Sequence, residues 1–71
     1  MAALTVWKRD RDEDTVGVEC PHCTHRIELI GITVSTLEEG RHVVRQCGTC
    51  LQGFDVTLEA LGGYLWPPAP P

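Results

Sequence analysis

The chain has 71 residues, 42 % of them hydrophobic, only four aromatic side chains (Trp7, Phe54, Tyr64 and Trp66) and a formal net charge of −4. A chain this short makes one domain and buries only about 60 % of the surface its unfolded form exposes, which excludes a large aromatic core and calls for a staple: a metal, disulfides or a partner chain. The acidic balance argues against a general nucleic-acid binder, because such proteins neutralise phosphates with clustered Lys and Arg.

Residues 1–15 read as a charged N-terminal arm. Leu4, Val6 and Trp7 are followed by the mixed charge run Lys8 to Asp14, the pattern of a solvated, poorly ordered segment. The apolar run is too short for a secretory signal, and its charges follow it. Nothing approaches the roughly 18 apolar residues of a membrane span. The expectation is a cytoplasmic protein with no membrane partner. Cytosolic thiols stay reduced, so Cys20, Cys23, Cys47 and Cys50 read as metal ligands before disulfides.

A domain is expected over residues 16–61. Val16 and Val18 alternate with Gly17 and Glu19, a short strand entering Cys20. After Cys23, the stretch from Thr24 to Val34 is rich in β-branched residues and reads as a strand. Its phase is broken: Ile27 and Leu29 share one parity, Ile30, Ile32 and Val34 the other, and Gly31 offers a bulge to reconcile them. Glu38, Glu39 and Gly40 read as a hairpin tip. A capping box at Ser35 and Glu38 is the competing reading, but a helix starting at Thr36 would last only one turn. Arg41 to Gln46 then forms a strand into Cys47, and Phe54, Val56, Leu58 and Ala60 alternate along a half-buried strand broken at Leu61-Gly62-Gly63. Residues 62–71 form a Pro-rich tail that favours polyproline II.

Cys20 and Cys23 make one CxxC, Cys47 and Cys50 a second, in a spacing close to the pattern that reads as a metal site. Each pair sits between β-like segments, and a tight turn there aims two sulfurs at one point. Two such turns facing each other close a tetrahedral four-thiolate site. Pro21 pre-sets one turn and Gly48 relaxes the other. His22, His25 and His42 read as exposed or ordinary strand side chains. A thioredoxin-like redox centre needs a helix after Cys23, where this chain is β-rich, and leaves Cys47 and Cys50 unused. Iron remains an alternative metal for four thiolates.

On these two CxxC motifs the chain resembles the zinc ribbons: small all-β folds with a three- or four-stranded antiparallel sheet clamped by a four-cysteine zinc site, here with flexible termini. The resemblance implies one structural Zn²⁺ and a role in binding nucleic acid, RNA polymerase or another protein. Many ribbons carry Gly directly after each CxxC; Thr24 and Leu51 stand there instead. A weaker resemblance links Glu38 and Glu39 to the acidic pair on the hairpin tip of the transcript-cleavage elongation factor ribbon, where Asp-Glu is usual.

The expected function is that of a non-enzymatic adaptor or regulatory module binding a protein of the transcription machinery, RNA polymerase or a complex subunit. The alternative is nucleic-acid binding. The candidate surface comprises Arg26, Glu38, Glu39, Arg41 and Arg45. No Ser-His-Asp set, phosphate loop or open metal position in the sequence suggests catalysis.

Overall fold

The computed structural model describes residues 3–67. In chain order these form β1 (Val6–Asp10), β2 (Thr15–Glu19), β3 (Arg26–Ile30), α1 (Ile32–Glu38), β4 (Val43–Gln46), β5 (Gly53–Val56) and a 3-10 turn at Glu59–Leu61. The strands divide into two antiparallel sheets, β1-β2-β3 and β4-β5. The all-β expectation holds, with the strands split three and two and one short helix added. Those parts of the expected flexible termini and Pro-rich tail that fall on residues 1–2 and 68–71 lie outside the described residues.

The stretch read as a solvated arm contains β1, which pairs with β2 through Val6↔Val18, Lys8↔Gly17, Arg9↔Val16 and Asp10↔Thr15. Trp7 is the extra residue of a bulge between Val6 and Lys8. Its ring lies over Gly17, and its Nε1–H donates to the Val18 carbonyl at 3.1 Å. Charge misled the sequence reading here. Arg9 is half-buried and folded back on the chain: its guanidinium donates to the carbonyls of Leu61 (2.6 Å), Leu65 (2.7 Å) and Tyr64 (2.8 Å) and stacks on the Tyr64 ring at 4.5 Å. Lys8 reaches across Gly17 to Glu28 at 3.7 Å.

The hairpin tip expected at Glu38–Gly40 is a helix end. β3 stops at Ile30, and Gly31, with φ of 32°, turns the chain into α1. The two incompatible parities of the apolar run therefore belong to two kinds of element. Ile27 and Leu29 follow the strand period; Val34 and Leu37, three apart, bury one helical face, while Ile32 stays 87 % exposed. Gly40, at φ 80°, closes the helix in a Schellman motif: its N–H reaches the Leu37 carbonyl at 3.0 Å, and that of Arg41 reaches Thr36 at 3.2 Å. Gly40 does take positive φ as expected, in the service of a different turn.

The strand expected from Phe54 to Ala60 ends at Val56. Thr57 Oγ1 then accepts from the Ala60 N–H at 3.0 Å and starts the 3-10 turn, which ends at Gly62 in the left-handed region. Leu61, read as part of a strand breaker, and Leu65, read as tail, both sit in the core. That core joins Val16, Val18 and Leu29 of the larger sheet, Val34 and Leu37 of α1, Phe54 and Val56 of β5, and Leu61 and Leu65.

Candidate metal centre

Each CxxC lies in the turn between two strands: Cys20 and Cys23 between β2 and β3, Cys47 and Cys50 between β4 and β5. The two turns have the same hydrogen bonds. The Cys20 N–H donates to His25 (2.8 Å), the Thr24 N–H to the Cys20 carbonyl (2.9 Å), and the His22 N–H to the Cys20 sulfur (3.4 Å). The Cys47 N–H donates to Gln52 (3.0 Å), the Leu51 N–H to the Cys47 carbonyl (2.9 Å), and the Thr49 N–H to the Cys47 sulfur (3.4 Å). The residue after each CxxC is left-handed, Thr24 at φ 64° and Leu51 at φ 63°, so the turn forms without the glycine that many ribbons place there.

These twin turns bring all four Sγ atoms within 4.8 Å of one another. Sulfurs face each other across the turns: Cys20 and Cys50 at 3.7 Å, Cys23 and Cys47 at 3.4 Å. A tetrahedral ion with metal–sulfur bonds near 2.3 Å needs sulfurs about 3.8 Å apart, so the donor set fits such an ion with little adjustment. Cys20 and Cys47 are buried, while Cys23 and Cys50 are half-buried. The cluster can hold one metal ion and supplies four ligands to it.

The sulfurs differ in proton affinity. Backbone N–H groups of Cys50 and Thr49, helped by neighbouring thiols, outweigh desolvation at Cys47 and lower its pKa to about 6. At Cys23 the His25 backbone bond favours the thiolate, but desolvation and the sulfurs of Cys47, Cys50 and Cys20 together push the pKa up to about 12. The thiolate is thus favoured at Cys47 and disfavoured at Cys23 and Cys50. A bound cation reverses that balance, because it favours the deprotonated form of every ligand.

His22 and His25 are exposed. His22 nevertheless joins the two halves: its Nε2 lies 3.3 Å from the Gly53 carbonyl at the start of β5. Nothing in the sequence pattern signals that contact, because it spans 31 residues. His42, read as a strand residue, is exposed just before β4.

The residues expected to form a binding surface are less unified. Glu38 ends α1, Glu39 caps it, and Arg41 pairs with Glu39 at 3.6 Å. Because the acidic pair lies at a helix end, the likeness to the cleavage-factor hairpin tip loses its geometric basis. Arg26 is exposed on β3 and lies 5.2 Å over the Trp7 ring. Arg45 sits opposite the core residue Phe54, with its Nε buried and without a partner among the described residues. No ion pair ties Arg26 or Arg45 to the Glu39–Arg41 pair among the described residues. Arg9, which fastens the C-terminal segment, was not singled out from the sequence.

Comparison with protein-family models, with curated proteins and with solved structures finds no match to this chain.

Proposed function

We propose that the chain is a zinc ribbon whose single Zn²⁺ is structural and which acts, without catalysis, as an adaptor that binds another protein. The convergence of four sulfurs from two equivalent turns is the observation that carries this reading. Cys20, Cys23, Cys47 and Cys50 would hold the ion, and a fourth thiolate occupies the position a catalytic zinc keeps open for water or substrate. Zinc bound there would supply folding energy, on the order of 10 kcal/mol in small zinc modules. The function then rests with the surface.

Several features favour a protein over a nucleic acid as partner. The net charge of −4 becomes about −6 with four thiolates and one Zn²⁺. Arg9 and Arg41 already have internal partners, and Arg26 lies on Trp7. Ile30, Ile32, Val44, Leu51 and Tyr64 are large apolar side chains left exposed. A component of the transcription machinery, with RNA polymerase as the first to test, is the partner suggested by the resemblance to zinc ribbons alone, and a cytoplasmic location rests on the expectation from the N-terminal sequence.

Metal analysis and native mass spectrometry before and after chelation test the first half: one zinc per chain and loss of the folded signal on chelation are expected. One iron per chain, or a metal-free folded chain, would refute it. Binding of RNA polymerase by the zinc-loaded chain, compared with Ile32→Lys, tests the second half. Nucleic-acid binding with a steep salt dependence and no protein binding would reverse the choice of partner.

A further inference from the structure

The β3 edge of the larger sheet is open and regular, whereas the β1 edge is interrupted by the bulge at Trp7. The bonds from the Cys20 N–H to His25 and from the Gly31 N–H to Asp14 bracket the β2–β3 ladder, whose partners include Val18↔Ile27 and Val16↔Leu29. By the alternation of antiparallel pairing, those two pairs exchange hydrogen bonds, and the N–H and C=O groups of Arg26, Glu28 and Ile30 point away from β2. Among the described residues, no turn, loop or cap bond reaches these outward groups. The side chains of the same three residues are exposed, Ile30 to 62 %.

We propose that this edge is where a second copy of the chain docks, adding its own β3 antiparallel so that two three-stranded sheets become one of six strands. The charge pattern selects both the occupant and the register. Outward groups bond to outward groups in registers centred on Ile27, Glu28 or Leu29, and the last sets Glu28 opposite Ile30 with no charge pair. Centring on Ile27 sets Arg26 opposite Glu28 of the second copy and Glu28 opposite its Arg26, two attractive pairs made by one symmetry axis, for which Arg26 gives up its exposed position over Trp7 and Glu28 shares its contact with Lys8. Centring on Glu28 sets like charges face to face. Ile27, only partly buried against the core, meets its own equivalent across the axis. The edge of β4 lacks this property, since Val43–Gln46 carries Arg45 and no acidic residue. A five-residue strand makes a small joint, so the dimer is weak and concentration-dependent.

Sedimentation equilibrium of the full, zinc-loaded chain over a range of concentrations and two salt levels tests this. A monomer–dimer equilibrium weakened by salt is expected. Arg26→Glu or Glu28→Arg alone turns both attractive pairs repulsive and weakens association roughly tenfold or more, and the two together restore it. Glu28→Pro removes an outward N–H that the ladder does not use, and gives a monomer. Circular dichroism and zinc content report that each variant is folded. A wild-type chain that stays monomeric throughout, or a dimer indifferent to the single charge reversals, overturns the proposal.

Discussion

Leu51 provides a test of the knuckle geometry whose outcome is a sign. It sits at φ 63°, where a side chain other than glycine is strained, and it is 68 % exposed. Two truncations separate strain from lost contact. Leu51→Ala removes the partly covered side chain but keeps the Cβ and its clash. Leu51→Gly removes both. A left-handed residue costs about 1–2 kcal/mol. The greater freedom of glycine in the unfolded chain returns about 0.4–1 kcal/mol of that gain. The glycine variant is therefore more stable than the alanine variant by about 1 kcal/mol, or roughly 4–8 °C in Tm for a domain of this size. In an ordinary helix or strand the order is the reverse. Urea unfolding at fixed free zinc measures the difference without confusing it with metal affinity. An alanine variant equal to or more stable than the glycine variant would refute the left-handed turn at Leu51, and with it the equivalence of the two CxxC turns.

Three further outcomes follow from contacts elsewhere. A Cβ at Gly17 would come within 2.5 Å of the Trp7 ring, so Gly17→Ala displaces that ring and costs about 1–3 kcal/mol, read by tryptophan fluorescence during unfolding. Arg9→Met removes three charge-assisted bonds to the carbonyls of Leu61, Tyr64 and Leu65; a loss of about 2–3 kcal/mol is expected by urea titration, with faster hydrogen exchange in the segment after Leu61. Gly40→Ala forces a side chain into φ 80° at the end of α1 and lowers stability by about 1 kcal/mol, whereas an unchanged Tm would argue against the Schellman closure.

The cysteine cluster was legible because its signal is local. Two CxxC pairs flanked by β-formers need only short turns to aim their sulfurs, and β2 and β4 lie close to where alternation and β-branching put them. The helix was not legible for a reason of length. Over seven residues, Val34 and Leu37 fit a helical face and also half of a strand phase, and no side chain caps the start at Gly31 to break the tie. β1 was hidden by its charges. Arg9 looks solvated in the sequence, and only the C-terminal carbonyls, 52 to 56 residues away, give it a buried purpose. The early end of β5 depended on the Thr57 hydroxyl turning back to Ala60, a contact that competes with the strand only once the core has claimed Leu61.

The clamp of Arg9 on Leu61 also bears on the order in which the molecule assembles. Closed in a free chain, that contact must bring together residues 52 apart in sequence. With a metal joining Cys20 to Cys50, the shortest path between them becomes roughly 22 residues, about 11 on either side of the ion. Loop-closure entropy grows as the logarithm of length, so the shortcut lowers the cost of this contact by about 0.8 kcal/mol. Metal capture first and docking of the C-terminal segment second is then the favoured sequence of events. Without a metal at the four cysteines, the same contact closes the full 52-residue separation, through the slower non-local route.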